Sequence, residues 1–413
     1  MARRATYIRE SSRGDAYQLI VDAGNFIHVG DWMSQIKVRY LLRAMKMIGY
    51  DAINVGFKDT VLGASLLSDL RSRYRLPYVS ANVYYEDTGE LFAEPFIIKK
   101  FGRPRFFFWR APDVTVGILG LNGLTPPQQM PPQPEDDRKL MVGDPYEAAR
   151  DAMKTLKANG CDVIIALVQM STAQCDSLVE LVAGIDLLVG GRTSRQTLEP
   201  ELRSGVPMVE PGWQGKNEGN LLLNLDERNR VTSWEGKLQR LDESIGEDST
   251  MVALIAEYKE GLHEAQINQP RPENVQEVYA GAERCGSCHQ AQYEQWKTTA
   301  HADAYASLES STREDEGKKF ECLPCHTTGF RQYNGYWSVD TTPEMANVQC
   351  ETCHGFGMRH LLNREQGVER HKLPDGRLMP ELPIITMYTC VRCHNQERDP
   401  EFDFPEDRRK VAH

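Results

Sequence analysis

The sequence predicts two domains of different class. Residues 1–265 form an α/β domain, residues 266–278 a linker, and residues 279–413 a mainly helical and irregular segment. Three observations carry this. Short apolar runs alternate with amphipathic helical stretches through 18–270. The pentapeptide Cys-x-x-Cys-His occurs four times, always in the last third of the chain. Between these regions Gln266–Gln276 is poor in apolar residues and punctuated by proline.

The α/β elements follow in order. Gln18–Ala23, Ala52–Val55, Val114–Gly120, Asp162–Val168 and Ile185–Gly190 are apolar runs of strand length. Thr125–Asp137 is rich in Pro and Gln and is expected to be an exposed loop. Asp144-Pro145 starts a helix, with Asp as N-cap and Pro at the first helical position. Ser249–His263 is expected to be a helix that closes the domain.

Beyond Tyr279 the chemistry is in the cysteines. The four motifs are Cys285-Gly-Ser-Cys288-His289, Cys322-Leu-Pro-Cys325-His326, Cys350-Glu-Thr-Cys353-His354 and Cys390-Val-Arg-Cys393-His394. This is the attachment pattern of c-type haem: both thiols add to the porphyrin vinyl groups and the adjacent His ligates the iron. A zinc site wants four ligands converging on one point, which four separate motifs with an adjoining His do not supply. Four covalent haems are expected. So short a segment cannot bury enough side-chain surface by itself, and the porphyrins must form much of its core.

Each low-spin iron also needs a sixth ligand, His or Met. Outside the motifs the histidines are His28, His263, His301, His360, His371 and His413. Those within the haem segment, His301, His360, His371 and His413, equal the irons in number and are the candidate distal ligands. Met345, Met358, Met379 and Met387 compete with them, although Met is more often core filler.

Haem attachment takes place outside the cytoplasm, so a periplasmic or extracellular location is expected. The N-terminus lacks the apolar core of a signal peptide. Either a leader has been removed or Met1 lies inside the gene product; the second is expected, because the resemblance of the first domain given below implies a first strand ahead of Ala2–Ile8. No apolar run reaches membrane-spanning length. The net charge of -11 argues against a nucleic-acid surface and for redox partners with basic patches. Of the ten cysteines, only Cys161 and Cys175 are not spent on haem; they are expected as buried free thiols, with a disulfide between them left open.

The haem segment resembles a known family. Tyr279-Ala-Gly-Ala-Glu-Arg-Cys-Gly-Ser-Cys-His-Gln, Tyr293-Glu-Gln-Trp296, His301-Ala, Cys322-Leu-Pro-Cys-His-Thr-Thr-Gly-Phe330 and Asn347-Val-Gln-Cys-Glu-Thr-Cys-His-Gly355 carry the likeness, together with Phe402-Asp-Phe404 and His413. They are similar to the tetrahaem cytochrome c family typified by the electron carrier of the nitrifiers' hydroxylamine pathway. The resemblance implies closely packed haems, mostly with two His ligands, and multi-electron transfer; in that family one haem can lack a sixth ligand. The family's Ser-Glu-His appears here as Met358-Arg359-His360, so the His is kept.

The first domain resembles the 5′-nucleotidase type of calcineurin-like metallophosphoesterase through Leu19-Ile-Val-Asp-Ala-Gly-Asn25, Met47–Gly56, Val79-Ser-Ala-Asn82 and Gly184–Gly191. That likeness implies a four-layer αββα sandwich whose paired metals activate water. Yet the family's Gly-Asp is Gly24-Asn25 and its Gly-Asn-His-Glu is Gly56-Phe57-Lys58-Asp59. Its next His is Gln169, and its closing Gly-Gly-His-x-His is Gly190-Gly191-Arg192-Thr193-Ser194. Asn, Phe, Lys, Gln, Arg and Ser do not assemble a dinuclear site, so hydrolysis is expected to be lost. Lys58 and Arg192 are expected either to bind an anion or to pair with Asp22 or Asp59.

The expected function is electron transfer through four haems, with the pseudoenzyme domain as docking or assembly platform. Three rivals are kept. One is a redox enzyme with an open iron for a small nitrogen or sulfur compound. Another is a subunit of a homo-oligomer or extracellular filament, tied by His413 or His371 to a neighbouring haem. The last is a phosphoesterase with unusual ligands.

Overall fold

The computed structural model describes residues 1–11, 17–27, 32–102, 114–126, 130–192, 195–212, 215–267, 278–309, 322–368, 381–383, 385–394, 399 and 401–412. His28, His371, His413, Met379, most of the expected linker and the side chain of His263 lie outside the described residues. The chain forms two compact units, Met1–Gly261 and Leu262–His413.

The strands of the first unit are β1 (Val21–Asp22), β2 (Ala52–Asn54), β3 (Tyr78–Val79), β4 (Val83–Tyr85), β5 (Phe96–Phe101), β6 (Val114–Asn122), β7 (Leu140–Val142), β8 (Val163–Gln169), β9 (Leu187–Gly190), β10 (Glu201–Arg203), β11 (Val206–Val209), β12 (Asn217–Leu225) and β13 (Val231–Arg240). Its helices are α1 (Ala2–Glu10), α2 (Trp32–Ile48), α3 (Ala64–Tyr74), α4 (Pro145–Ala158), α5 (Thr172–Leu181) and α6 (Ser249–Ile267). All five expected strands are present. The first is shorter than its apolar run, and α6 continues past His263.

Strands β1-β2-β3 make a parallel sheet, and β10-β11-β9-β8-β6-β5 a larger mixed one with antiparallel edges. The layers follow from alternation along the buried strands. On β6, Val114, Val116 and Ile118 point one way and Leu119 and Leu121 the other. On β8, Val163, Ile165 and Leu167 oppose Ile164, Ala166 and Val168. The first set of each strand meets Ala52 and Val79 of the small sheet. The second set packs on Ala149, Ala152, Met153 and Leu156 of α4 and on Cys175 and Leu178 of α5. The outer face of the small sheet is covered by Val38, Leu42 and Met45 of α2 and by Leu67 and Leu70 of α3. The order of layers is therefore helix, sheet, sheet, helix: the αββα sandwich.

Local chemistry sets the element ends. Asp144 caps α4 by accepting from the N–H groups of Tyr146 (2.7 Å) and Glu147 (3.0 Å), with Pro145 in the first turn. Ser171 and Gln174 form a capping box on α5. Gly120 lets the sheets approach: a Cβ there would sit 2.4 Å from Asn54 Oδ1. The N-terminal segment, for which no helix was expected, forms α1 and buries Ala2, Ala5 and Ile8; Ala2 and Ala5 pack with Met251 and Leu254 of α6.

The second unit has short helices and no strand of its own among the described residues. Its helices include Ala282–Gly286, Gln290–Trp296, Cys350–His354, Met358–Glu365, Met387–Val391 and Phe404–Val411. Its apolar core is small: Tyr279, Leu323, Tyr336 and Met345, with Tyr305, Leu308, Phe330, Ala346 and Phe356 against them.

Candidate haem centres and the cleft of the first unit

The Cys-x-x-Cys-His motifs lie on helical turns. Cys285 ends one, Cys350–His354 is one, residues 322–326 make another, and Cys390 lies within Met387–Val391. A helical turn sets residues three apart on one face, so the two thiols of each motif can reach one porphyrin edge.

Histidines from distant positions meet in pairs. The rings of His289 and His360 have centroids 6.2 Å apart and planes inclined at 29°. Those of His301 and His394 are 5.9 Å apart at 57°. Imidazole nitrogens bind metals at about 2 Å, so two rings on opposite faces of one iron have centroids roughly 6 Å apart. The spacing of both pairs accommodates a single iron, and each pair joins a motif His to a candidate distal His.

The free ring nitrogen is also settled. Nδ1 of His360 lies 2.6 Å from Glu381 Oε2, and Nδ1 of His394 lies 2.7 Å from Asp399 Oδ2. Nδ1 of His326 is 2.6 Å from the carbonyl of Ala304. With Nδ1 engaged, Nε2 is the nitrogen left for a metal. His301 is half-buried; burial, and then the nearby His394 ring, lower its pKa. The Val348 amide donates to the His301 carbonyl at 3.1 Å, and Trp296 Nε1 donates to the Val348 carbonyl at 2.8 Å.

Thiols of different motifs also meet. Cys285 hydrogen-bonds to Cys350, which pushes the Cys285 pKa up and pulls that of Cys350 down. Cys393 is bonded in the same way to Cys325. Cys353 is pushed up to about 11 by burial, then by Cys390 and Cys350. Of the competing methionines, Met345 is buried in the core, Met358 Sδ lies 3.5 Å from Arg284 Nη1, and Met387 is exposed.

Glu351 lies inside the third motif. It is buried, and its carboxylate accepts from the N–H groups of Ala280 (2.8 and 3.0 Å), Gly281 (2.7 Å) and Gly357 (2.6 Å). A Glu among Cys-x-x-Cys variables carries no sequence signal; only the fold brings those amides to it.

In the first unit, the carboxyl ends of β1, β2, β6, β8 and β9 bring together the positions where the phosphoesterase resemblance places its metals. Amide side chains fill them. Gln169 Nε2 donates to the carbonyls of Ala23 (2.9 Å) and Gly24 (2.8 Å), and its Oε1 accepts from Asn25 Nδ2 at 2.5 Å. Asn25, at φ +60°, accepts from the Lys58 amide at 3.0 Å. Asp59 is fully buried and turned inward, taking the N–H groups of Asn25 (2.8 Å), Gly56 (2.8 Å) and Ile27 (3.0 Å); burial pushes its pKa up to about 8 against those donors.

Arg192 sits over the Phe57 ring at 5.2 Å and donates to the Gln169 carbonyl at 3.4 Å. Burial, and then Arg192, lower the pKa of Lys58. The charge of Asp59 acts on Lys58 in the opposite direction, raising its pKa. No group of three His, Cys, Asp or Glu suited to a metal occurs among the described residues. Cys175 is buried, Cys161 half-buried, and no disulfide joins them.

Comparison with known proteins matches both halves. Residues 284–355 match the family described as cytochrome c554 and c-prime. Cytochrome c-554 of Nitrosomonas europaea is 36% identical over 91 residues, 19% of this chain and 39% of that protein. Snake venom 5′-nucleotidase of Gloydius brevicauda is 28% identical over 288 residues, 64% of this chain and 46% of that protein. The 5′-nucleotidase precursor of Thermus thermophilus superposes with a TM-score of 0.53 at 23% identity, over 68% of this chain and 56% of that one. The chain thus spans less than half the length of these two curated relatives. The first unit has the calcineurin-like phosphoesterase fold, and the second contains a cytochrome c554-like helical region.

Proposed function

We propose that this chain is an exported electron-transfer protein carrying four covalent haems, joined to a phosphoesterase-like unit that does not hydrolyse phosphate esters. The observation that carries it is the pairing of His289 with His360 and of His301 with His394 at the spacing of one iron. In this reading His360 completes the first-motif iron and His301 the fourth. The other two irons are left to His371, His413 or an open position. Each haem supplies a one-electron Fe(III)/Fe(II) couple; the chain holds it by two thioethers, orients it through the histidines and shields it from water.

The contacts between thiols support an order for the haems. Cys285 with Cys350 supports the first beside the third and Cys393 with Cys325 the fourth beside the second, while Cys390 acts on Cys353 only through its charge and links the third to the fourth more distantly. The wire then runs first, third, fourth, second, and coordination by two histidines keeps its potentials below those of Met-ligated haems. The acidic chain would meet basic surfaces on its redox partners in a salt-dependent encounter.

Loss of hydrolysis is supported by the amide groups of Gln169 and Asn25, which spend their hydrogen bonds on each other and on backbone where metal ligands are required. Carbon monoxide added to the fully reduced protein tests the reading. An unchanged spectrum means four six-coordinate haems and an electron conduit. A shift in about a quarter of the Soret intensity means one open iron and puts a redox enzyme first. Turnover of a generic phosphodiester with added manganese would overturn the inactive cleft.

A further inference from the structure

The clearest unassigned feature of the second unit is how its paired histidines are held. His360 and Arg364 stand one turn apart on the helix Met358–Glu365 and grip the two oxygens of one carboxylate. Glu381 Oε2 lies 2.6 Å from His360 Nδ1, and Oε1 takes Arg364 Nη2 at 2.9 Å. Arg364 is anchored in turn by the Val368 carbonyl at 2.7 Å. His394 is gripped twice as well: Asp399 Oδ2 lies 2.7 Å from its Nδ1, and Phe402 stacks on the ring at 4.8 Å and 19°. His326, by contrast, meets a neutral backbone carbonyl.

That difference in acceptor has a chemical consequence. A carboxylate accepting the Nδ1 proton draws it away from the ring, leaving the imidazole richer in electrons and more basic at Nε2. A more basic axial ligand favours Fe(III) over Fe(II) and lowers the potential. A neutral carbonyl does the same more weakly, because a charged acceptor makes the stronger hydrogen bond. A haem held here would exchange one electron with a redox partner, and since Glu381 and Asp399 keep the Nδ1 proton on the ring, that exchange would need no proton transfer.

We propose that Glu381 and Asp399 are positioning residues that orient His360 and His394 and hold the first- and fourth-motif irons at lower potential than a neutral acceptor would. Arg364 offsets part of the Glu381 charge, so the first-motif iron is held down less than Glu381 alone would hold it. This rests on the four-haem reading above, and the test separates the two.

The experiment is a spectro-electrochemical titration of the haem-loaded full chain, with haem count and electron paramagnetic resonance, for Glu381→Gln, Asp399→Asn and Arg364→Gln. The expected result is four haems in every variant. One midpoint rises in Glu381→Gln, a different one rises in Asp399→Asn, and each variant changes the g-values of one low-spin haem as its axial ring reorients. Arg364→Gln lowers the midpoint that Glu381→Gln raises. Should a carboxylate variant fail to load haem, Arg364→Gln still decides by the direction of its shift. Unchanged midpoints and g-values in fully loaded variants, or shifts of the opposite sign, overturn the proposal. Fewer than four haems in the unmodified protein would instead overturn the reading beneath it.

Discussion

Replacing Glu351 removes the acceptor on which three amides of two backbone segments converge. Its carboxylate takes the buried N–H groups of Gly281 and Gly357 and the partly buried one of Ala280. These donors belong to the chain that enters the first motif and to the chain that leaves the third. In Glu351→Ala no other acceptor is at hand, and each stranded buried donor costs about 1–3 kcal/mol. Two buried donors and one partly exposed one give about 3–6 kcal/mol, a large share of the roughly 5–15 kcal/mol that stabilises a typical domain. Glu351→Gln keeps one carbonyl oxygen but turns an amide donor towards N–H groups, and should cost about 2–4 kcal/mol. The assay is urea unfolding of the haem-loaded protein followed by Soret circular dichroism, with haem content measured beside it. A change within about 0.5 kcal/mol for Glu351→Ala, the range of an ordinary surface substitution, would refute the reasoning.

Two further outcomes follow from the first unit. Asp144→Ala strips the side-chain acceptor from the α4 cap and should cost about 1 kcal/mol in thermal unfolding, while Asp144→Asn should restore most of it. In the native haem-loaded protein, a charged disulfide reagent should titrate Cys161 first and leave Cys175 unreactive until unfolding. Cys175 is fully buried, and its pKa is pushed up to about 12 by burial and then by Glu210; Cys161 is only half-buried and its thiol is raised less. Simultaneous reaction of both thiols would count against this packing.

What was legible in the sequence was local. The attachment motif needs only five consecutive residues on one turn of helix, so the chemistry of the second unit can be read before any fold is known. The buried strands β6, β8 and β9 were legible because a strand buried on both faces is a continuous apolar run. The α4 start was legible because Asp144-Pro145 solves the problem of unpaired amides within four residues. Helix α1 was missed because its charged residues hide an Ala2, Ala5, Ile8 stripe that has meaning only beside α6.

The tertiary structure decided what depends on groups far apart in the chain. Sequence spacing supplied candidate ligands for the irons but no pairing; the fold sets His360 against His289 and His301 against His394. Likewise, the phosphoesterase resemblance sets Gln169 where that family has a His. Only the meeting of β1 and β8 showed its amide bonded to Asn25 and to the backbone of Ala23 and Gly24. Glu351, Glu381 and Asp399 gave no warning at all, because a carboxylate acquires its role from the N–H groups that converge on it. A motif records geometry closed within a few bonds, whereas hydrogen bonding and axial ligation act through space, where sequence distance has no bearing.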